Sequence, residues 1–176
     1  MQPKYVRHLP IRATCLCMAV VMSLPMSSDA AELKVPSPRD TVVQLYRDFS
    51  AQIVLEEPLQ PGLWGQSLQV WGKYFSKQIV HLYAVTLRCA DKHGICTTEV
   101  SPIWYSQDPG SVTVSVKPGP VESIVIATIE YPKDAVGSGT AKLEYRLVRD
   151  GDRWKIADIA YPDGTTLKGW LEDAVK

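Results

Sequence analysis

The stretch from Ala141 to Tyr161 reads AKLEYRLVRDGDRWKIADIAY, and it decides the fold. Its first half, Ala141–Arg149, alternates apolar and polar residues, which is the period of a β-strand with one buried face. Asp150-Gly151 follows, a dipeptide that favours a tight turn because glycine tolerates the positive φ that such turns require. Arg153–Tyr161 is a second strand candidate, so the whole stretch predicts a β-hairpin.

Two predicted helices precede the strands. The first begins at Ser37, because Ser37, Pro38 and Asp40 supply a side-chain cap, a proline in the first turn and a carboxylate that reaches back toward the cap. Apolar residues at helical spacing predict a longer second helix over Gln66–Lys92, and Gly94 then ends it in the left-handed conformation.

Three further strand candidates lie between the second helix and the hairpin, over 101–106, 112–116 and 121–131. A short closing helix over 165–176 follows the hairpin. Because the strands follow the helices as a block, the order predicts an α+β fold, with helices packed on one face of a curved, mostly antiparallel sheet. Such a sheet can curl into a cone with a mouth.

The first thirty residues have the three regions of a secretory signal peptide. Basic residues open the segment, residues 13–26 are almost wholly apolar, and Ser28-Asp29-Ala30 provides a cleavage site. We therefore expect cleavage after Ala30, a periplasmic or secreted bacterial location, and one α+β domain over residues 31–176. The alternative is an uncleaved anchor, although the apolar run is shorter than the about 20 residues that span a bilayer.

The charge of the expected mature chain argues against two classes of partner. Residues 1–30 hold three of the 19 basic and one of the 19 acidic residues, which leaves 16 against 18. A net charge near −2 argues against nucleic acid, whose binding depends on clustered cations, and against adsorption to anionic lipid. Neither metal-ligand spacing nor a phosphate-binding glycine loop is present, so we predict no metal and no cofactor.

Cleavage would leave two cysteines, Cys89 and Cys96. In an oxidising compartment a disulfide is the default for such a pair. The alternative is a catalytic or redox thiol pair, which is usually separated by two residues rather than six. A disulfide here would join the end of the second helix to the next segment.

The chain resembles the nuclear transport factor 2-like (ketosteroid-isomerase-like, cystatin-like) superfamily in two respects. Its helices precede its strands, and near its end it has the motif Trp154-Lys155-Ile156-Ala157-Asp158-Ile159-Ala160-Tyr161. Within that superfamily, the chain is more similar to a family of exported bacterial proteins of unknown function, through Thr41–Tyr46, Gln107-Asp108 and Trp154–Leu167. The cysteine pair departs from that pattern. The resemblance implies a cone-shaped α+β fold and leaves the function open, because the superfamily includes isomerases, dehydratases, binding proteins and immunity proteins.

Asp158 is the one candidate catalytic residue. Strict alternation places it on the same sheet face as Trp154 and Ile156, where apolar neighbours would raise its pKa toward that of a general base. The resemblance to ketosteroid isomerase implies a base at this type of position. The alternative is structural: the alternation breaks, Ile159 and Tyr161 face the core, and Asp158 bonds backbone amides of the following turn.

Four residues near loops are candidates for binding. Trp104 and Tyr105, with Asp108 in the turn that follows, form either the rim of a recognition site or the end of a core strand with a turn capped by Asp108. Trp64 lies between glycines and is either a lid over the core or an exposed anchor.

Taken together, these features favour an exported, non-catalytic domain that binds another protein, of the inhibitor, immunity or accessory type. The alternatives are a lyase or isomerase with Asp158 as its base, and a carrier of a small ligand in the same cone. A filled cone with exposed tryptophan or tyrosine would favour protein binding. A cavity in which Asp158 faces a tyrosine hydroxyl would favour the enzyme, and an apolar cavity would favour the carrier.

Overall fold

The strands form one open, antiparallel sheet with the helices arranged around it, which confirms the predicted α+β class. The computed structural model describes residues 35–50, 62–94, 96, 98–107, 110–132 and 139–176. The predicted signal peptide, residues 1–30, and the candidate Asp108 lie outside the described residues. In the described part of the chain no helix is long and apolar enough to cross a membrane.

The sheet has four strands in the order of the chain, β1-β2-β3-β4, and each pairs antiparallel with its neighbours. Their bounds are Thr113–Pro118, Ile124–Glu130, Thr140–Asp150 and Arg153–Ala160. The predicted hairpin between β3 and β4 is confirmed, since Asp150 pairs with Arg153 across a turn in which Gly151 has a φ of +65°.

Helix α1, Pro38–Phe49, begins as predicted at Ser37. The Ser37 hydroxyl accepts a hydrogen bond from the Asp40 backbone N–H, and the Asp40 carboxylate accepts one from the Ser37 N–H at 3.0 Å. This reciprocal capping box satisfies two backbone donors that a helix end otherwise leaves open. The apolar face of α1 packs against β1, β2 and β4.

The prediction of one long second helix is wrong. A 3-10 turn, Leu63–Gly65, is followed by α2, Leu68–Tyr74, and α3, Lys77–His93. Phe75 is extended between them and bridges Ile156 of β4, while the Ser76 N–H donates to the Ile156 carbonyl at 2.8 Å. Pairing with the sheet edge therefore interrupts the helix, and Ser76 caps the start of α3 by accepting from the Ile79 N–H.

The predicted disulfide is present: Cys89 in the last part of α3 is bonded to Cys96. Gly94, with a φ of +87°, ends α3 as predicted. The chain closes with α4, Leu167–Asp173, whose N-cap is Thr166.

The predicted strand over 101–106 is instead a turn. The Ser101 N–H donates to the Ser106 carbonyl, and the Tyr105 N–H donates to the Ser101 carbonyl, each at 2.9 Å. This closure directs Ile103 and Trp104 into the core, where both are almost fully buried. The consecutive apolar and aromatic residues of this segment, Ile103, Trp104 and Tyr105, therefore belong to one turn rather than to a strand.

Candidate functional site

Three tyrosine hydroxyls hold the 101–106 turn in the interior. Tyr161 donates to the Pro102 carbonyl at 3.0 Å, Tyr46 donates to the Ile103 carbonyl at 2.9 Å, and Tyr131 donates to the Trp104 carbonyl. The three donors come from the end of β4, from α1 and from the end of β2. Because buried carbonyls require partners, this arrangement fixes the turn between the helices and the sheet.

Trp104 fills the space that a ligand in a cone would need. Its side chain is 2% exposed, and its ring meets Tyr46 edge-to-face with 5.0 Å between centroids. The Tyr145 hydroxyl donates to the Tyr46 hydroxyl at 2.9 Å. The predicted binding role of Trp104 required a ring at the surface, and in this fold that ring is part of the core.

Burial keeps these tyrosines protonated. It raises the pKa of Tyr46 and Tyr145 well above the usual tyrosine value, and the nearby hydroxyls raise the pKa of Tyr46 further. Burial, with a smaller effect of Tyr105, raises the pKa of Tyr131 to about 12. The hydroxyls therefore stay protonated, as hydrogen-bond donors to the turn, at pH values where an exposed tyrosine would begin to ionise.

Asp158 does not face the interior, so the placement beside Trp154 and Ile156 is wrong. Leu147 pairs with Ile156 but Arg146 pairs with Asp158, which makes Ala157 the extra residue of a β-bulge. The bulge shifts the alternation by one residue. Further along the strand the core positions are therefore the buried residues Ile159 and Tyr161.

The Asp158 carboxylate is bonded to backbone instead. One oxygen accepts from the Ile159 N–H at 2.9 Å and from the Lys168 N–H at 3.0 Å, and the other lies 3.8 Å from the Arg146 guanidinium. Its side chain is 14% exposed. Asp158 thus connects β4 to the first turn of α4. Its role is structural, as in the second alternative, but the amides that it bonds belong to Ile159 and Lys168 rather than to the turn after the strand.

An aromatic patch lies where the turn meets α4, and we define it as Tyr105, Tyr161 and Trp170. Tyr161 and Trp170 stack with 4.0 Å between centroids and 11° between planes, and Tyr105 stacks on Tyr161 at 5.3 Å. Tyr161 is buried, whereas Tyr105 and Trp170 are half-buried. Two large, partly exposed rings therefore stack on the buried ring of Tyr161.

Tyr105 is held in an unusual backbone conformation. Its φ is +51°, in the left-handed region that non-glycine residues occupy at a cost of about 1 kcal/mol or more. Burial and the neighbouring Asp163 carboxylate raise the pKa of the Tyr105 hydroxyl. Asp163 in turn accepts from the backbone N–H and the hydroxyl of Thr165. The surroundings of the ring thus fix its position at the edge of the patch.

Trp64 is a lid over the core rather than an exposed anchor. Its indole N–H donates to the Val100 carbonyl at 2.8 Å, and its ring stacks on Trp71 with 5.6 Å between centroids. The Tyr83 hydroxyl donates to the Trp64 carbonyl. These contacts attach the 3-10 turn to α2 and α3.

Two surface depressions contain polar side chains that already bond to the protein. In one, of about 330 Å³, Asp48 accepts hydrogen bonds from Gln44, Lys73 and Tyr74. Burial opposes ionisation of Asp48, but these bonds outweigh it and lower the pKa of the carboxyl. The other, of about 340 Å³, contains Lys155, which donates to two carbonyls at the end of α2.

No group of three or more histidine, cysteine, aspartate or glutamate side chains suited to a metal ion occurs among the described residues. His81 is exposed on α3.

No protein-family model matches this chain, and a search of curated proteins also finds no match. The aromatic patch is the candidate functional site, and two of its members, Tyr161 and Trp170, were not among the binding residues that the sequence predicted.

Proposed function

We propose that this chain is an exported, non-catalytic domain that binds another protein through the aromatic patch. Its place within the nuclear transport factor 2-like superfamily is part of the same proposal and rests on the C-terminal motif and the α+β architecture. The Cys89–Cys96 disulfide supports an oxidising location, which is where the predicted secretory signal would direct the chain.

The observation that carries the proposal is the filled interior. Ile103 and Trp104 occupy the space between α1 and the sheet, and tyrosine hydroxyls bond the carbonyls of the same turn. A substrate or a carried ligand would have to displace this turn. Its displacement would break three hydrogen bonds between tyrosine hydroxyls and backbone carbonyls and would expose the buried indole of Trp104. This packing favours a function at the surface over the enzyme and carrier alternatives.

The position of Asp158 supports the same choice. A general base must reach the substrate proton, directly or through one water molecule. Asp158 instead lies on the sheet face opposite Ile159 and bonds the backbone at the start of α4. Its bonds account for its burial without a catalytic role.

The aromatic patch has the properties of a binding hot spot. Tyrosine and tryptophan supply large contact areas with little side-chain entropy to lose, and they dominate binding energies at interfaces. Here Tyr105 and Trp170 are already ordered by stacking on Tyr161, so a partner would meet rings whose orientation is set in advance.

The experiment compares capture of partners by the full chain and two variants, produced with its own N-terminal segment and immobilised on beads. Envelope extract from the native host is applied, and the bound proteins are quantified. Tyr105→Ala should reduce recovery of a specific partner by about thirtyfold, the equivalent of about 2 kcal/mol. Leu68→Ala, which truncates an exposed apolar residue on α2, should capture as the parent does.

Two results would count against the proposed function. One is recovery of the same proteins in the same amounts by the parent and by Tyr105→Ala. The other is turnover of a small carbonyl or hydroxyl substrate by the purified protein that Asp158→Asn abolishes while the fold remains intact.

A further inference from the structure

A carboxylate lies beside the aromatic patch. The Trp170 indole N–H donates to the Thr165 hydroxyl at 3.1 Å, and this hydroxyl donates to the Asp163 carboxylate at 2.7 Å. Burial and, after it, the same carboxylate raise the pKa of the Tyr105 hydroxyl, and no basic side chain among the described residues contributes to that shift. Asp163 is therefore linked to both partly exposed rings of the patch.

The Asp163 carboxylate can accept a further hydrogen bond. Both bonds from Thr165, from its hydroxyl and from its backbone N–H, end on Oδ1, and a carboxylate can accept about four bonds. These bonds lower the pKa of the Asp163 carboxyl, so the group carries its charge at neutral pH. Asp163 is also exposed to solvent. A donor from outside the protein can therefore reach a charged acceptor beside the rings.

Within the described residues, no ion pair joins Asp163 to a cation of the chain. The other segments that form the patch, residues 98–107 and 161–166, contain no basic residue. The two lysines of the closing segment are each paired with another acid, Lys168 with Glu172 and Lys176 with Asp173. The charge beside the rings is thus negative, and the ligand of complementary charge is a cation.

The rings of the patch share one orientation. The planes of Tyr105 and Trp170 differ by 13°, and they differ from the plane of Tyr161 by 15° and 11°. Tyr105 has this orientation although its φ of +51° is unfavourable for a tyrosine, and backbone strain of this kind is concentrated at functional sites. A flat group can therefore lie parallel to these rings without a change in their positions.

We infer that the aromatic patch binds an arginine side chain of the partner protein. Its guanidinium stacks on the exposed parts of Trp170 and Tyr105 and donates a hydrogen bond to the Asp163 carboxylate. Arginine suits this arrangement better than lysine, because a guanidinium is planar and weakly hydrated and can stack on a ring while its edge donates to a carboxylate. The inference rests on the proposed function, that this patch binds a protein, and it specifies the group that the partner presents.

The probes are N-acetylarginine amide, its uncharged analogue N-acetylcitrulline amide, and N-acetyllysine amide, each titrated into the isotopically labelled full chain. Binding is followed by the resonance of the Trp170 indole N–H. The arginine compound should shift this resonance and should bind about fivefold more tightly than the citrulline compound, which has the same shape and no charge. The lysine compound should bind less tightly than the arginine compound, because an ammonium group is more strongly hydrated.

Two variants with the same change in net charge separate the patch from the rest of the surface. Asp163→Asn should weaken binding of the arginine compound by about threefold to fivefold, the value of an exposed ion pair. Its amide oxygen can still accept from the Thr165 backbone N–H, so the turn is retained. Asp152→Asn, at an exposed position in the β3–β4 turn, should bind as the parent does. In the parent protein, sodium chloride should weaken binding of the arginine compound and leave that of the citrulline compound unchanged.

The inference is overturned if the arginine and citrulline compounds bind equally, or if the arginine compound leaves the Trp170 indole N–H unshifted. It is also overturned if Asp152→Asn weakens binding as much as Asp163→Asn does. A proline-rich peptide that binds where the arginine compound does not would give the patch to a different class of partner segment.

The capture assay separates this inference from the proposed function. Treatment of the envelope extract with phenylglyoxal, which modifies arginine side chains, should abolish capture of the partner, whereas acetylation of its lysines should not. If Tyr105→Ala loses the partner while phenylglyoxal has no effect, the proposed function stands and the inference fails. If the parent and Tyr105→Ala capture equally while the arginine compound binds at Trp170, the proposed function fails and the guanidinium site stands.

Discussion

The direction of the hydrogen bonds among the buried tyrosines predicts an asymmetry between two conservative substitutions. Tyr145 donates to Tyr46, and Tyr46 donates to the Ile103 carbonyl. Tyr46→Phe removes both bonds and leaves the Tyr145 hydroxyl and the Ile103 carbonyl buried without partners. An unsatisfied buried group costs about 1–3 kcal/mol, so this variant should lose at least about 2 kcal/mol of unfolding free energy.

Tyr145→Phe should be milder. The Tyr46 hydroxyl still donates to the Ile103 carbonyl and loses only a donor, so the expected loss is about 1 kcal/mol, the net value of one hydrogen bond. The double variant leaves only the Ile103 carbonyl unsatisfied and should be no less stable than Tyr46→Phe alone.

Urea unfolding followed by far-ultraviolet circular dichroism measures the four free energies of this cycle, with the near-ultraviolet spectrum as a check that the aromatic packing persists. The reasoning is refuted if Tyr145→Phe destabilises as much as Tyr46→Phe, or if the double variant loses the sum of the two single losses. Either result would mean that the hydroxyls do not hold the turn in the order described.

Three further predictions concern the buried tyrosines, two glycines and the disulfide. The free energy of unfolding should fall as the pH rises above about 10, because the unfolded chain then releases tyrosine protons that the folded chain retains. The slope should reach up to about 1.4 kcal/mol per pH unit for each buried tyrosine. Urea midpoints measured below and above pH ~10 test this. Gly151→Val should lower the free energy of unfolding by about 1 kcal/mol or more, because Gly151 has a positive φ. Gly72→Ala, in α2 with open space around the added methyl group, should be neutral or stabilising in the same unfolding assay. Replacing both Cys89 and Cys96 by alanine should leave the fold intact and cost about 2 kcal/mol, and mass spectrometry of the unreduced protein should find these two sulfurs bonded.

Local signals in the sequence predicted the parts of the fold that depend on neighbouring residues. The capping box at Ser37, the turn at Asp150-Gly151 and the disulfide each involve groups that are close along the chain. Their geometry follows from side-chain chemistry and from the φ values that glycine permits. For this reason the start of α1, the β3–β4 hairpin and the α+β class were predictable.

The features that were not predicted depend on distant contacts. The interruption at Ser76 is caused by pairing with Ile156, and the apolar spacing continues across it. The bulge at Ala157 reverses the facing of Asp158. The sequence left two alternatives for this residue, and the pairing of β4 with β3 decides between them. The turn that carries Trp104 is held by tyrosines from three other segments, so its propensity for strand was overridden by tertiary structure.

The most direct test of the central claim sets Tyr105→Ala beside Asp158→Asn in the same capture assay, with the stability of each measured by urea unfolding. The account predicts that Tyr105→Ala loses the captured partner and costs only about 1 kcal/mol of stability, the value of the ring stacking on Tyr161 that the substitution removes. Asp158→Asn should keep the partner and lose stability, because it weakens the connection between β4 and the start of α4. The reverse pattern, with capture or turnover lost in Asp158→Asn at unchanged stability and retained in Tyr105→Ala, would contradict it.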